Sequence, residues 1–337
     1  MNNIKVITTG GTIGSAFNSD SVSVESTQEK LSSEILLAKN TLGLTVTVDS
    51  PLNKNSEDMQ PSDWLSIVHS IDAANDDPAC KGIVVTHGSD TMAYSVAAAE
   101  ILSQQEKPVC FTGSYYPPEH PDSDAYINLL ASLTLASCES ISKGIFAAFR
   151  SNIENSEVAI IHGQHLKPMN FDDLFLSSAF NKIAGSYSIG KGLSELALDT
   201  IDAPRLSGQV SAEKVQLASS KVAMIVLHPG MDKVLLQAAA QGREVLVIQA
   251  YHCGTGPSSA DLVQFIKEAS PSTKILMGTF PRRYIKTPYK STLVLKAAGA
   301  YIYSEIQSHY LYVFAILALG LSMTSLDIVE KLSPYEV

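Results

Sequence analysis

Short runs of β-branched and apolar residues alternate along the first half of the chain with longer segments of helical periodicity. The apolar runs predict strands at 4–11, 82–88, 108–114, 144–149 and 157–163. The segments that start at Pro61 and Thr91 repeat their apolar residues with the spacing of one helix face, which predicts helices. Because strands that alternate with helices pair in parallel, the pattern predicts the α/β class, with a mostly parallel sheet that is flavodoxin-like or Rossmann-like.

A long polar segment separates this half from a second set of strands. Residues 191–220 are rich in Ser, Gly and charged residues and contain no strong strand pattern. Beyond them the alternation resumes, which predicts a smaller parallel α/β domain. Its strands are expected at 222–230, 244–256 and 274–281. The chain is therefore predicted to have three parts: an N-terminal domain over 1–190, an inter-domain linker over 191–220 and a C-terminal domain over 221–337.

The composition is that of a chain that folds throughout. Hydrophobic residues make up 45% of the 337 positions and charged residues 17%, without the charge excess of disordered chains. The formal net charge is −10 and there is no dense Lys/Arg run, so we expect no nucleic-acid partner, because binding to a phosphate backbone needs clustered cations. The cysteines are far apart in sequence, which predicts reduced, mostly buried thiols and no metal site. They are Cys80, Cys110, Cys138 and Cys253.

Two features bear on localisation. The chain opens with the strand-like run MNNIKVITTGG and lacks the long apolar stretch of a secretory signal. The longest apolar stretch, 310–323, is too short to cross a bilayer and predicts a buried helix. We therefore expect a cytoplasmic protein with no membrane contact.

Several predicted strands end in glycine beside small hydroxyl-bearing residues: TTGGTIGS at 8–15, HGSDT at 87–91 and TGS at 112–114. The carboxyl ends of parallel strands lie along one edge of a sheet, where backbone N–H groups and helix N-termini can bind an anion. Helix capping accounts for one of the consecutive residues Ser89, Asp90 and Thr91, but three exceed what a cap requires. This edge is therefore a candidate active site.

The glycine-rich turn near the N-terminus does not indicate nucleotide binding. The segment GGTIGS lacks the lysine of a P-loop, and the spacing of Gly10, Gly11 and Gly14 differs from the dinucleotide-binding pattern. A tight turn explains the glycines, but it does not explain Thr12.

Six segments, spread over nearly the whole chain, carry a resemblance to a known family. They are TTGGTIGS from Thr8, NSEDMQPSDW from Asn55, VTHGSDTMAYS from Val85, TGSYYPP from Thr112, SDAYINLLASL from Ser123 and QAYHCGTGPSS from Gln249. Together they resemble the bacterial-type L-asparaginases, in particular the cytoplasmic type I branch. The resemblance implies hydrolysis of asparagine, a small amino-acid substrate, to aspartate and ammonia with no metal or organic cofactor. It also implies two α/β domains and assembly into a homodimer or homotetramer.

The same resemblance implies roles for individual residues. Thr12 matches the hydroxyl that attacks the side-chain amide to give an acyl-enzyme, and Ser89 matches a second catalytic hydroxyl. Asp90 matches the carboxylate that holds the α-ammonium group, and Ser56 matches the serine that contacts the α-carboxylate. Further substrate contacts are implied at Gly11, Glu57, Gly88 and Ser114.

Some positions depart from the family pattern. Ser89 replaces a threonine and keeps its hydroxyl. Leu174 falls at the position of the lysine that activates this hydroxyl. Lys167 is a nearby substitute that reaches the site only by a different backbone path, and Asp173 is a weaker one.

Other departures concern aromatic and acidic groups. Val22 stands where the family has a tyrosine that assists the nucleophile, and Tyr115 or Tyr116 is the candidate to supply a phenol instead. His309 replaces a glutamate of the C-terminal domain, and its imidazole is suited to acid–base chemistry near neutral pH. The two remaining motif histidines are expected to be structural: His87 and His252.

Three functions stay open at the level of the sequence. The first is asparagine hydrolysis. The second is hydrolysis of a different amide, with Tyr115, Tyr116 and His309 as new contacts. The third is non-catalytic amino-acid binding, because Val22, Leu174 and His309 replace groups that transfer protons in the family.

Overall fold

The computed structural model of the chain describes residues 3–17, 22–23, 28–150, 157–169, 183–197, 203–280 and 286–337. The chain divides into two compact units, Met1–Asp202 and Ala203–Val337. The division falls inside the segment 191–220, which the composition predicts as a linker. That segment contains a short strand at Gly192–Leu193 and a helix at Ala212–Ser219.

The first unit is built on a large mixed sheet. Its described strands are β1 (Asn3–Thr8), β2 (Ala16–Phe17), β3 (Val22–Ser23), β4 (Thr45–Asp49), β5 (Cys80–Thr86), β6 (Pro108–Thr112), β7 (Gly144–Arg150), β8 (Val158–His162), β9 (Gly185–Ser188) and β10 (Gly192–Leu193). Eight of them form one sheet in the order β10-β9-β8-β7-β6-β5-β1-β4, and β2 pairs separately with β3. The strands from β4 to β7 in this order are parallel. The strands β8, β9 and β10 are antiparallel to their neighbours, so the predicted mostly parallel sheet is confirmed.

Helices cover both faces of this sheet. In the described residues of the unit they are α1 (Gln28–Leu42), α2 (Asp63–Asp76), α3 (Met92–Leu102) and α4 (Ala125–Ala136). The helices α1 and α4 share one hydrophobic core with the sheet, and α2 and α3 share another. Because side chains alternate along a strand, Val84 of β5 belongs to the first core, and Ile83 and Val85 belong to the second. Burial of such a side chain contributes roughly 1.5–3 kcal/mol, so both faces stabilise the strands whose ends carry the polar residues.

The second unit has a smaller, fully parallel sheet, as predicted. Its strands are β11 (Val222–Val226), β12 (Val245–Gln249), β13 (Lys274–Phe280) and β14 (Ala300–Ser304), paired in that order. Its helices are α5 (Ala212–Ser219), α6 (Lys233–Ala240), α7 (Ala260–Ala269), α8 (Lys290–Ala298), α9 (Ser308–Gly320) and α10 (Ser325–Leu332). The helix predicted over 310–323 is α9, and it is almost entirely buried. No described helix is long and apolar enough to span a membrane.

Among the strands that the sequence did not predict are β4, β9, β10 and β14. The strands β4 and β10 are the edges of the large sheet. The side chains of β4 are mostly exposed, so it lacks the continuous apolar run that marks a buried parallel strand. Local pattern alone therefore does not identify it.

Candidate active site

Two tight turns follow β1 and β5 and lie in direct contact. Strand β1 ends at Thr8 and β5 at Thr86, before the predicted ends at 11 and 88. The chain leaves the sheet after β1 because Gly10 and Gly11 have φ angles of 102° and 83°, which other residues rarely adopt. A Cβ atom on Gly11 would lie 2.5 Å from the Cα atom of Gly88. Only glycine allows this approach.

The two contacting glycines are each followed by a residue that carries a hydroxyl. Thr12 comes directly after Gly11, and Ser89 comes directly after Gly88. Both are partly exposed. Within the described residues, their side chains form no hydrogen bond, and their backbone N–H groups donate none to another backbone carbonyl. The two turns therefore each carry, directly after the contacting glycine, a partly exposed residue whose hydroxyl and backbone N–H have no partner among the described residues.

A third segment, which follows β4, completes the cluster. The Gly11 N–H donates to the Lys54 carbonyl oxygen at 3.1 Å, which joins this segment to the turn after β1. A Cβ atom on Gly88 would lie 2.5 Å from Ser56 Oγ. Ser56 is 3% exposed, and its hydroxyl donates to Asp90 Oδ2 at 3.1 Å. A carboxylate and a hydroxyl from segments far apart in sequence are thus paired beside the two glycines.

Thr91 takes part in the same cluster instead of capping the helix. It occupies the position before α3, where the sequence predicts a helix start, but its side chain accepts no capping hydrogen bond. Its hydroxyl donates to the Ser56 carbonyl oxygen at 2.7 Å. The residues Ser56, Asp90 and Thr91 therefore hold the segment after β4 against the start of α3.

His87 has a structural role, which its hydrogen bonds explain. The ring is fully buried, with Nδ1 2.7 Å from the Gly88 carbonyl oxygen and Nε2 2.8 Å from Ser95 Oγ. A carbonyl oxygen can only accept, so Nδ1 carries the proton and Nε2 accepts from Ser95. Burial lowers the pKa of His87 to about 4, against smaller opposing effects of Gly88 and Asp90. The neutral imidazole supports the turn at Gly88 and is not exposed to a ligand.

The end of β6 lies against the turn at His87. A Cβ atom on Gly113 would lie 2.5 Å from the His87 carbonyl oxygen. Ser114, a predicted substrate contact, is buried, and its Oγ has no hydrogen-bond partner among the described residues. The backbone N–H groups of Tyr115 and Tyr116 donate to Oδ1 of the buried Asp124 at 2.8 and 3.4 Å. Asp124 is not among the predicted site residues, although an aspartate directly before a helix is a recognisable signal.

The two tyrosines of this loop have different surroundings. The Tyr115 ring packs edge-on against Phe149, with 4.9 Å between the ring centroids, and the Arg150 guanidinium lies 5.9 Å from its centre. The Tyr116 ring is partly exposed and stacks on His120 at 4.2 Å. Both residues are partly exposed, but the Tyr115 hydroxyl is buried, so Tyr116 is the more accessible phenol.

The remaining predicted residues are more dispersed. Glu57 is exposed in the short helical turn Ser56–Asp58. Lys167 follows β8, and burial lowers its pKa. No hydrogen bond or ion pair joins it to the parts of the chain that the structure describes. His309 is buried in the first turn of α9, in the second unit.

Some predicted positions fall partly or wholly outside the described residues. Asp173 and Leu174 lie outside them, and Val22 is described only as backbone, in β3. The cysteines are all free, as predicted; Cys80 and Cys110 are buried, while Cys138 and Cys253 are partly exposed.

Comparison with known proteins places the chain in a family. The family model described as Asparaginase, N-terminal, matches residues 3–184. A glutamyl-tRNA(Gln) amidotransferase component of Nanoarchaeum equitans is 32% identical over 292 residues, which are 85% of this chain and 71% of that protein. L-asparaginase of Thermococcus kodakarensis is 27% identical over 281 residues, which are 81% of this chain and 79% of that protein.

A solved structure shows the same fold. The thermostable L-asparaginase from Thermococcus kodakarensis has a TM-score of 0.77 to this chain at 22% identity, and the match covers 98% of this chain and 96% of that one. Because the family model matches more than half of the residues, this chain belongs to the asparaginase family of amidohydrolases.

Proposed function

We propose that the protein hydrolyses L-asparagine to L-aspartate and ammonia, with Thr12 as the nucleophile. The observation that carries the proposal is the contact of Gly11 with Gly88, which holds the turn that leads into Thr12 against the turn that leads into Ser89 and Asp90. The similarity to a protein named L-asparaginase supports the choice of substrate. We also propose a cytoplasmic location and a homodimeric or homotetrameric assembly.

The pair formed by Ser56 and Asp90 is suited to hold the amino-acid group of the substrate. Asp90 is exposed and offers a carboxylate to the α-ammonium group. The Ser56 hydroxyl then turns its single proton from Asp90, which now pairs with the α-ammonium group, to the α-carboxylate at the turn Ser56–Asp58, with Glu57 at its edge. Opposite charges held by two separate segments fix the substrate in one orientation, which is a large part of catalysis by positioning.

The hydroxyl and amide groups at the glycine contact are suited to the chemical step. Thr12 Oγ1 attacks the side-chain carbonyl carbon and loses its proton, and the carbonyl oxygen becomes negative. Backbone N–H groups that have no other acceptor stabilise this oxyanion. The C–N bond then breaks, the nitrogen leaves as ammonia after taking up a proton, and water hydrolyses the resulting ester to aspartate. Gly88, Ser89 and Ser114 line the opposite side of the reacting group in this proposal.

The attack of Thr12 requires a base that receives its proton. Ser89 relays the proton, and a further group must accept it. Lys167 is a candidate because its lowered pKa increases the fraction of neutral amine near neutral pH. Tyr116 is a second candidate because its ring is partly exposed.

A second candidate function is the hydrolysis of a different amide to supply an amidotransferase. The observation that favours it is the 32% identity to a protein whose name makes it part of a glutamyl-tRNA(Gln) amidotransferase. An amide-hydrolysing component needs the same nucleophile and the same oxyanion donors as an asparaginase. A non-catalytic amino-acid-binding protein would need Asp90 and Ser56 but not Thr12.

The test is ammonia release from the purified protein with millimolar L-asparagine or L-glutamine, together with calorimetric titration of L-aspartate. We expect release from asparagine, loss of release in Thr12→Ala, recovery of part of it in Thr12→Ser, and unchanged aspartate binding in both variants. Release from glutamine alone would favour the second candidate. Aspartate binding without release from either amide would contradict both hydrolytic functions.

A further inference from the structure

The loop after β6 is fixed by two buried side chains at the start of α4. Asp124 directly precedes α4, and Asn128 lies one turn further along it. Both are fully buried. Residues four positions apart lie on the same face of a helix, so both side chains reach the same loop, residues 113–116.

Four hydrogen bonds of their side chains connect this pair to the loop and to each other. Asn128 Nδ2 donates to the Gly113 carbonyl oxygen at 2.9 Å and to Asp124 Oδ2 at 2.8 Å. Asp124 Oδ1 accepts from the N–H groups of Tyr115 and Tyr116. The backbone is therefore held on both sides of Ser114, whose buried side chain lies between the bonded residues.

The loop in turn lies against the segment that carries Ser89. Gly113 contacts the His87 carbonyl oxygen so closely that a Cβ atom has no space. The His87 N–H donates to the Thr112 carbonyl oxygen at 2.8 Å, directly before this contact. A shift of the loop after β6 is therefore transmitted to the backbone beside Ser89, because packed interiors leave no room to absorb it.

Burying the carboxyl of Asp124 costs free energy, so we expect this side chain to do more than fill space. Burial raises the pKa of Asp124, while the Arg150 guanidinium and the N–H donors of Tyr115 and Tyr116 oppose the rise. An apolar side chain of similar size would avoid this cost but would leave two backbone N–H groups without an acceptor.

We propose that Asp124, supported by Asn128, is a positioning residue for amide hydrolysis. It fixes the Gly113–Tyr116 backbone against the segment of Ser89, so that the groups around the scissile amide keep their geometry. This inference rests on the proposed function. The amino-acid group of the substrate is held by Ser56 and Asp90, whose hydrogen bond does not involve α4, so the positioning role affects turnover and spares amino-acid binding.

The test compares Asp124→Asn and Asn128→Ala with Ser132→Ala as the matched control. In Asp124→Asn the new NH₂ group faces the NH₂ group of Asn128, unless the Asn128 amide turns over and loses its bond to Gly113. In Asn128→Ala the bonds of the Asn128 amide to Gly113 and to Asp124 are both lost. Ser132 is equally buried on α4, but its hydroxyl donates to the Asn128 carbonyl oxygen at 2.7 Å and lies beside the Cys110 thiol within β6, away from the loop that Asp124 and Asn128 bond. A small displacement of reacting groups costs about tenfold or more in rate, so we expect kcat to fall by that factor in both variants and to stay within about twofold in the control.

Two outcomes would overturn the positioning role. One is that the folded variants turn over asparagine as fast as Ser132→Ala does. The other is that kcat and the affinity for L-aspartate fall in proportion, because a general loss of structure and not positioning would then explain the effect. We expect the dissociation constant of L-aspartate to stay within about threefold of wild type.

A measurement on the wild-type protein covers the case in which the variants do not fold. By hydrogen exchange, the Tyr115 amide should exchange about 100-fold or more slowly than the amide of Gly190 in the exposed turn between β9 and β10. Equal rates would rule out the hydrogen bond to Asp124 as a restraint. A protected Tyr115 amide in a protein that releases no ammonia would contradict the proposed function instead, and the positioning role would be rejected with it.

Discussion

The hydrogen bond between Ser56 and Asp90 joins residues 34 positions apart and keeps the carboxylate beside the glycine contact. A bond from a hydroxyl to an ionised carboxylate contributes about 1.5–3 kcal/mol, more than a bond between neutral groups. Asp90 is exposed, so without this bond its side chain is free to choose other rotamers in water. Ordering it before the ligand arrives reduces the entropy cost of binding.

At this scale we expect Ser56→Ala to weaken L-aspartate binding roughly 10- to 100-fold, the range that corresponds to the loss of one such bond. The measurement is calorimetric titration. Ser50→Ala is the matched control. Ser50 directly follows β4, and its hydroxyl lies 2.7 Å from Thr8 Oγ1 and does not contact Asp90. Equal affinities of wild type and Ser56→Ala would show that Ser56 does not order Asp90.

At the scale of elements, the site depends on how closely the turns after β1 and β5 approach each other. Strands β1 and β5 pair in the sheet with Thr8 opposite Thr86, so their turns begin at the same point along the strand direction. The remaining distance is decided by two residues without a side chain, Gly11 and Gly88. A side chain at either position separates Thr12 from Ser89.

We expect Gly11→Ala to lower turnover at least about tenfold, because the added Cβ atom has to displace the backbone of Gly88 and with it Ser89. Gly230→Ala is the matched control: Gly230 has the same φ of 83°, but a Cβ atom there meets nothing within 4 Å. Gly230→Ala should cost about 1–2 kcal/mol of stability from backbone strain, and Gly11→Ala should cost more because its Cβ atom also meets the Gly88 backbone; urea unfolding measures both. An active Gly11→Ala variant would mean that the close approach is not needed for catalysis.

At the scale of the whole molecule, the buried His87 links the site to the stability of the fold. The folded protein keeps this imidazole neutral down to about pH 4, whereas the unfolded chain takes up a proton near pH 6.5. Below pH 6.5 the unfolded state therefore binds more protons than the folded state. As the pH is lowered from 6.5 to about 4, the free energy of unfolding decreases. The shift corresponds to a loss of about 3 kcal/mol across that window.

We expect His87→Gln to show a smaller loss of stability between pH 6.5 and 4 than wild type, because glutamine keeps a donor and an acceptor but does not titrate. Urea unfolding is followed by the fluorescence of the single tryptophan, Trp64, which is buried in α2 of the same unit. His69→Gln on the exposed side of α2 serves as the control and should keep the wild-type slope. Identical slopes for all three proteins would refute the neutral, buried state of His87.

Runs of apolar residues and glycine-rich turns are visible in the sequence itself, so the elements that contain them could be predicted from it. Apolar runs mark β5, β6 and β7 because these strands are buried on both faces, and the composition of consecutive residues records that burial. The exposed edge strand β4 lacks such a run and escaped prediction. The glycine-rich turns were recognisable for the same local reason, since positive φ angles restrict the residue type.

The sequence by itself determined the α/β class, the family and the candidate residues Thr12, Ser89 and Asp90, because each is recorded in a short stretch of chain. Only the tertiary structure decided how these stretches meet. In the folded chain Gly11 contacts Gly88, and the Thr91 hydroxyl donates to the Ser56 carbonyl oxygen instead of capping the helix. Asp124 accepts from the backbone of the loop after β6. Such contacts depend on strand order and register across the sheet, which no single stretch of sequence encodes.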